Sequence, residues 1–471
     1  MSKTFFSYTV AMLVALGVNV CATAQNTPPY RSAEVNCSGT LPVLNIHTEN
    51  NEPITSKTEY LNATYWLDAM GAEGMESVGS ATEPAEMQIR GRGNSSWLGD
   101  KKPYKIKLAS KTSLLGMPKN KHWALLKPLE ANAAGMELGA LMGFAWTPRY
   151  RSVEVVLNDE YIGMYFLSET VRIDKNRVNI HEQPDGETDP ELIKGGWLVE
   201  IDNYDDEYQI KIPETGDWDL RVTYHSPEEL SAEQRDWLTD EITAVNSAIY
   251  SDDLSSAEWE KYIDAESMAR FFILQEVMDN PDGFNGSFYL HKDLKDDAKW
   301  VAGPIWDIAS YDREKTDYTF RLKAEYYFIP HWITGLIRYE SFCNAVRKVW
   351  SEVYDKLPQV DAMIEASLLP TREAWKNDDI RWTGNSSHDV DYRVNWIKRI
   401  IHRNIEWFNE HLPESQSGAA PVVSVDPADA GPVRVYNLQG ICVGEFASEQ
   451  AAAAVLPEGL YIARGRKFSV R

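Results

Sequence analysis

The chain has 471 residues and a mass of 53.5 kDa, more than one compact domain usually holds, so two or three domains are expected. A hydrophobic fraction of 43% with 16 Trp, 23 Tyr and 14 Phe excludes disorder for most of the chain. The net charge is −24, from 71 acidic and 47 basic residues. A surface that neutralises nucleic-acid phosphates needs clustered Lys and Arg, so we expect no nucleic-acid partner.

Residues 1–24 have the pattern of a signal peptide. Lys3 supplies a positive charge, residues 4–20 are almost all apolar or small, and Ala22-Thr-Ala24 offers a cleavage site. We therefore expect a secreted, cell-surface or periplasmic protein. No later run of 18 apolar residues exists, so we expect no transmembrane segment in the mature chain. Cys21 leaves lipidation open, although Val20 stands where a lipobox has a small residue.

Residues 40–412 mix strand-like and helix-like patterns, which predicts an α+β domain. The predicted strands are 87–90, 104–108, 153–157 and 163–167. The predicted helices run from Ser226 to about residue 250, from 265 to 278 with Asp264 as the N-cap, and over 388–412.

The first segment with chemical character joins the strands at 87–90 and 104–108 through a loop rich in Gly and Ser. Gly91 and Gly93 allow backbone amides to approach an anion. Strand alternation then places Lys105 and Lys107 on one face of the second strand. An oligophosphate needs such amides and cations together. A hairpin with an exposed basic face explains the pattern equally well.

The second segment follows the predicted helix 265–278 and holds hard oxygen ligands. Asp282 and Asn285 lie in a polar loop, and predicted strands 287–291 and 300–306 come next. If these strands pair antiparallel, Asp307 returns to that loop. Two carboxylates and a carboxamide at one point suit Mg²⁺ or Ca²⁺. A plain polar turn is the alternative for the loop, but an acid at the end of an apolar strand is costly without a partner.

Five motifs, in their order and spacing, resemble the CotH kinase family of atypical protein kinases, which are related to a spore-coat protein. They are R-G-x-G-N-S-S-W, K-K-P-Y-K-I-K-L, Y-I-G-M-Y-F-L-S-E, N-x-D-x-x-N and G-P-I-W-D. The resemblance covers about residues 40–410. It implies a divergent protein-kinase-like fold, binding of ATP and Mg²⁺, and phosphorylation of serine side chains in a protein substrate.

The same resemblance implies roles for individual residues. Asp282 and Asp307 would be catalytic, and together with Asn285 they would hold the metal. Lys105, or else Lys107, would contact phosphate, and Glu169 would pair with that lysine as in other kinases. The implied nucleotide-binding residues are Arg90, Gly91, Gly93, Asn94, Ser95, Lys105, Lys107 and Glu169.

One departure from the family bears on phosphotransfer. Family members commonly carry a second acid two residues after the W-D acid, and this chain has Ala309 there. Asp312 lies close enough in sequence to replace the missing carboxylate.

The C-terminal part has its own resemblance. Residues 413–432 are rich in Pro, Ala, Ser and Gly, which predicts a linker. Residues 433–471 are similar to the C-terminal sorting domains of secreted Bacteroidetes proteins, small β-sandwich modules read by the type IX secretion machinery. The expected order is a signal peptide (1–24), a CotH kinase-like domain (40–412), a linker (413–432) and a β-sandwich-like domain (433–471). An ordinary accessory β domain is the alternative for the last.

Three functions remain open. The first is a secreted kinase that uses ATP and Mg²⁺ to phosphorylate serine in an envelope or extracellular protein. The second is a kinase-fold binding or scaffold protein without turnover, favoured by Ala309 and by the scarcity of ATP outside the cytoplasm. The third is an adhesin or glycan-binding protein, suggested by the many Trp residues. Exposed aromatic side chains in a cleft would support the third function, and burial of most Trp would argue against it.

Overall fold

The computed structural model describes most of the chain from residue 35 onward. The described residues are 35–213, 219–284, 286–319, 332–386, 389–414, 433–437, 442–457, 459–463 and 466–470. The predicted signal peptide, Asn285 and almost all of the predicted linker lie outside them.

Seven strands of residues 43–169 close into a barrel. They are β1 (Val43–Thr48), β2 (Leu61–Asp68), β3 (Ala85–Gly91), β4 (Tyr104–Thr112), β5 (Asn120–Leu126), β6 (Tyr150–Leu157) and β7 (Glu160–Glu169). The strand order is β1-β2-β3-β4-β5-β7-β6, and parallel pairing of β1 with β6 closes the barrel. Alternate side chains such as Ile89, Ile106 and Trp123 fill the interior. Arg90 and Lys105, which pair across β3 and β4, therefore point outward.

A second, antiparallel sheet follows the barrel in sequence. Its strands are β8 (Trp197–Ile201), β9 (Gln209–Pro213), β10 (Asp219–Ser226), β11 (Phe288–Lys292) and β12 (Val301–Ala302), in the order β12-β11-β8-β10-β9. The pairing of β11 with β12 is antiparallel, as predicted for the hairpin before Asp307. Glu200 of β8 lies opposite Tyr289 of β11.

Helices pack beside this sheet and share one hydrophobic core with it. They are α2 (Glu130–Met142), α3 (Ala232–Ile249), α4 (Ala265–Met278), α5 (Trp332–Leu336), α6 (Glu340–Val353), α7 (Val360–Leu368), α8 (Arg372–Thr383) and α9 (Val390–Glu410). The short helix α1 (Ser95–Leu98) is separate from them, and its Trp97 packs against the barrel core. Helix α4 is central, because α2, α6 and α9 all contact it. None of the described helices is both long and apolar enough to cross a membrane.

Helix α8 is fastened to the barrel by a buried ion pair. Lys101 Nζ lies 2.5 Å from Asp378 Oδ1 and donates to the carbonyl oxygen of Met164, also at 2.5 Å. The amide of Met164 donates to the same Asp378 oxygen at 3.0 Å. Gly163 has φ 101°, and a Cβ there would lie 2.0 Å from Asp378 Oδ1, so glycine is needed for this close approach.

The sequence predicted one helix start correctly and misplaced another. Helix α4 begins at its predicted cap, because Asp264 accepts a hydrogen bond from the amide of Ser267 at 2.8 Å. The prediction that α3 starts at Ser226 was wrong, because Ser226 belongs to β10. The helix instead begins after Ser231, which forms a reciprocal capping box with Gln234.

Residues 433–470 form a sheet with its own small core. Strands β13 (Val433–Asn437), β14 (Cys442–Phe446), β15 (Gly459–Ala463) and β16 (Arg466–Val470) pair in the order β14-β13-β15-β16, and helix α10 (Glu449–Ala453) precedes β15. Val435, Ala452 and Ala463 form the buried core. The α+β class is confirmed. The closed barrel was not predicted, and the described C-terminal residues form one sheet where a sandwich needs two.

Candidate functional site

Helix α2 positions the segment that carries Asp307. A Cβ on Gly135 would lie 2.6 Å from Ile308, and one on Gly139 would lie 2.4 Å from Ile305. The two glycines therefore let the segment lie directly on the helix. Asn132 Oδ1 also accepts a hydrogen bond from the amide of Ile308 at 3.2 Å. Asp307 itself has φ 56°, a conformation that costs energy in a non-glycine residue and recurs at functional sites.

The carboxyl of Asp307 lies within the electrostatic reach of charged side chains of both signs. Water reaches the side chain, yet burial among surrounding protein atoms is the main cause that raises its pKa. The positive charge of Arg92 opposes this rise, and the negative charges of Glu200 and Asp282 add to it. Burial and next the negative charge of Glu200 raise the pKa of Asp202 in turn. These four side chains are called the acidic cluster below (Glu200, Asp202, Asp282 and Asp307).

Glu200 links the acidic cluster to the second sheet. Its Oε2 lies 2.7 Å from His225 Nε2, and Tyr289 on the neighbouring strand hydrogen bonds to it as well. Burial raises the pKa of Asp202 to about 6, and repulsion from Glu200 adds to that rise. The sheet thus holds Glu200, and Asp202 follows directly after the end of the same strand, which suits a site that must keep its geometry.

Asp282 lies in the short turn after α4, Pro281–Phe284. A Cβ on Gly283 would lie 2.4 Å from the side chain of Gln275, so the turn packs tightly on the helix. The hydroxyl of Tyr311 donates a hydrogen bond to Asp282 Oδ2. Asp282 therefore already accepts a hydrogen bond from a hydroxyl group.

The barrel contributes a group of half-buried cations to the same region. Arg90 lies near the end of β3, and Arg92 comes two residues later, just past the strand. Lys105 on β4 is paired with Arg90, and Arg172 lies in the segment after β7. Among the described residues, none of these four side chains has a hydrogen-bond or ion-pair partner, and Arg90 Nε is buried without one. They are called the basic cluster below (Arg90, Arg92, Lys105 and Arg172).

The pKa values nearby reflect this lack of counter-charge. The pKa of Lys105 is lowered to about 8, mainly by burial and then by repulsion from Arg90 and Arg172. The exposed Glu228 raises this pKa, but by less than the two arginines lower it. Burial likewise lowers the pKa of His122 to about 3, with Arg172 and Lys105 contributing. In a protein of net charge −24, so many unneutralised cations indicate a site for an anion.

The glycine loop does something different from the predicted anion cradle. The ring of Trp97 occupies the space beside Gly91, where a Cβ would lie 2.4 Å from it. The amide of Gly91 donates to the carbonyl oxygen of Ser56 at 2.8 Å and is therefore engaged within the protein. Gly93 has φ 82° and forms a turn, and its carbonyl oxygen accepts from Lys57 Nζ at 3.0 Å. The exposed residues that follow are Asn94 and Ser95.

Two further predicted residues lie apart from the basic cluster. Lys107 is exposed and lines a separate open groove of about 620 Å³ on the barrel, with Gln88 and Lys121. The predicted pairing of Glu169 with a lysine of β4 was wrong. Glu169 is fully buried and forms its ion pairs with Arg149, at 2.8 Å, and with Arg177, at 3.8 Å. Its charge is neutralised inside the barrel wall.

The carboxylate of Asp312 is also occupied by contacts outside the two clusters. Its carboxylate lies 2.8 Å from Arg399 and 2.9 Å from Arg403, and it accepts from Trp396 Nε1 at 3.1 Å. These three partners lie on α9, so the side chain anchors that helix. Asp312 therefore does not replace the acid missing at Ala309.

Sequence reasoning missed Arg92, Arg172, Glu200 and Asp202. Two of the four carried a usable signal. Arg92 continues the alternation that placed Arg90 on the outer face of β3. Glu200 is an acid within the apolar strand W-L-V-E-I, the same feature that drew attention to Asp307.

The acidic side chains fit one mode of metal binding. Within the part of the chain that the structure describes, no three His, Cys, Asp or Glu side chains come close enough to hold a metal ion alone. Mg²⁺ bound with a nucleotide needs fewer protein ligands, because phosphate oxygens and waters complete its coordination shell. Asp282 and Asp307 supply two hard oxygen donors, and a bound cation would offset the burial that raises the pKa of Asp307.

The barrel, the second sheet and the two clusters together define an α+β protein in which half-buried cations without described ion-pair partners lie near a group of acids. The sequence profile of the family described as CotH kinase protein matches residues 89–408, more than half of the chain. The chain therefore belongs to the CotH kinase protein family. The match includes both clusters. A search of curated proteins finds no match.

Proposed function

We propose that this protein transfers the γ-phosphoryl group of ATP to a serine hydroxyl of a protein substrate, with Mg²⁺, in a divergent kinase-like fold. The observation that carries the proposal is the basic cluster, which has no direct ion-pair partner among the described residues and whose Arg92 lies near Asp307 and Glu200. A polyphosphate together with a divalent metal supplies the missing charge to both clusters at once.

The chain's own residues divide the work. Arg90, Lys105 and Arg172 would bind phosphate oxygens, and Asp307 and Asp282 would hold the metal. The metal would neutralise charge on the phosphates. Asp282 would also orient the serine hydroxyl, as it now accepts a hydrogen bond from the Tyr311 hydroxyl. In the transfer, the serine oxygen bonds to the γ-phosphorus, the bond to the ADP oxygen breaks, and the serine proton passes to Asp282 and then to water.

Asp307→Asn tests the proposal, with Asp297→Asn as a matched control. Asp297 also has φ 56° and is also exposed, but it lies in the hairpin turn before β12 and is not among the charges that act on Asp307. Wild type and D297N, incubated with γ-labelled ATP and Mg²⁺, should label themselves or added serine-containing protein. D307N should lose roughly 100-fold or more of the labelling rate. Labelling that is equal in wild type and D307N would refute the proposal.

A parallel binding measurement with a non-hydrolysable ATP analogue separates the kinase from the scaffold alternative. Binding that requires Asp307, without any labelling, would favour a nucleotide-binding protein without turnover, as Ala309 suggests. The glycan-binding alternative loses its main support, because no described Trp is exposed and eight are buried.

We propose further that the protein acts outside the cytoplasm, with residues 433–471 as an address for type IX secretion. The signal-peptide pattern and the resemblance of the tail support this. A chain truncated after residue 432 should accumulate in the periplasm of its host, as followed by fractionation and immunoblotting. Unchanged surface display after truncation would end the sorting hypothesis.

A further inference from the structure

Arg92 differs from the other members of the basic cluster in what lies around it. Its amide donates to the carbonyl oxygen of Pro103 at 3.2 Å, which fixes the turn after β3. Its guanidinium lies 5.5 Å from the ring centroid of Trp306, the residue directly before Asp307. Arg92 therefore extends from the barrel to the segment that carries Asp307.

The charges near Arg92 are of both signs. Burial lowers the pKa of Arg92, and the positive charge of Arg90 lowers it further. Asp307, Tyr289 and Glu200 have the opposite effect and raise this pKa. Lys105 is different, because its neighbours are mostly cations. Arg92 has no direct ion pair with Asp307 among the described contacts, so the two charges act on each other from beyond ion-pair distance.

We propose that Arg92 binds the phosphate group that bridges to a metal ion at Asp307, and that its charge opposes metal binding there until the nucleotide arrives. The phosphate contact rests on the proposed function. The opposition to metal follows from charge alone, since the charge of the half-buried Arg92 acts on Asp307 and would repel a second cation held there. The negative phosphates would relieve that repulsion, so metal and nucleotide enter together. Arg92 would then be a phosphate-binding residue of the site, with a planar guanidinium suited to two phosphate oxygens.

Titration of Mn²⁺ into nucleotide-free protein, followed by the electron paramagnetic resonance signal of the free ion, tests the metal part without any turnover. Arg92→Gln should raise Mn²⁺ affinity about three- to tenfold. Arg92→Lys, which keeps the charge, should bind Mn²⁺ like wild type. Arg90→Gln is the matched control on the same strand face, and it should change the affinity less than about twofold.

Titration with tripolyphosphate in the presence of Mn²⁺ tests the phosphate part. Arg92→Gln should weaken binding at least about tenfold, with a melting curve that shows a folded protein. Unchanged Mn²⁺ affinity in R92Q would overturn the inference, even if the wild type binds ATP as proposed. If R92Q binds Mn²⁺ more tightly but wild type binds no tripolyphosphate, the charge effect stands and the proposed function fails.

Discussion

Two lysines four residues apart have opposite surroundings. Lys101 is buried, with Asp378 and the Met164 carbonyl both 2.5 Å from its Nζ, and it joins the barrel to α8. Lys105 is half-buried and lacks a described partner, and its pKa falls to about 8. The buried lysine that joins two parts of the fold has an ion-pair partner, whereas the half-buried lysine of the basic cluster has none among the described residues. Unpaired, half-buried cations therefore indicate where a ligand supplies the missing partner.

The largest expected effect comes from breaking the paired lysine. Asp378→Ala should leave Lys101 buried without a counter-charge and lower the free energy of unfolding by about 3–5 kcal/mol. Urea denaturation measures this. Lys105→Met is the comparison, and it should not destabilise the protein, because it removes a cation that its neighbours repel. Equal destabilisation by both variants would contradict the contrast between the two lysines.

The second expected effect is a pH dependence from Lys105. Its pKa is about 8 in the folded state and near the ordinary 10.5 in the unfolded chain. Between these values the unfolded state binds more protons, so this lysine makes stability rise with pH from about 8 to 10.5. Lys105→Met should remove that contribution. Identical stability–pH slopes in this window for variant and wild type would show that neither burial nor repulsion lowers the pKa of Lys105 in the folded protein.

Asp202 should give a smaller effect of opposite slope. Its pKa is about 6 when folded against the ordinary 3.8, so the folded state binds more protons between these values. Stability from this group is present below pH 3.8 and is lost as pH rises through 6. Asp202→Asn should therefore be more stable than wild type at pH 7 and equal to it near pH 3. Thermal melts at the two pH values measure the difference, and a destabilised variant at pH 7 would contradict it.

The smallest effect is expected from removing residues 433–471. Their core of Val435, Ala452 and Ala463 is separate from the cores of the barrel and the helices. Truncation should leave the melting temperature of the main part unchanged. A clear fall in that temperature would favour an accessory domain that supports the main fold.

Sequence patterns of a few residues predicted the helix cap and the hairpin correctly, but they could not predict which distant strands pair. The cap at Asp264 and the β11–β12 hairpin depend on residues close in sequence, and both are present. The barrel closes through pairing of β1 with β6, more than a hundred residues apart, which no periodicity reveals. Equally, nothing in K-K-P-Y-K-I-K-L distinguishes Lys101 from Lys105, because the partner of Lys101 lies 277 residues away. The role of a charged residue depended on such distant partners.

The pKa of Lys105 with and without ligand tests the central claim most directly. NMR signals of isotopically dimethylated lysines, assigned with Lys105→Arg, report this pKa in a pH titration. The free protein should give a value of about 8, and saturation with the Mg²⁺ complex of a non-hydrolysable ATP analogue should raise it above the ordinary 10.5. A pKa that stays near 8 while the analogue is bound would place the nucleotide elsewhere and contradict the assignment of phosphate binding to the basic cluster.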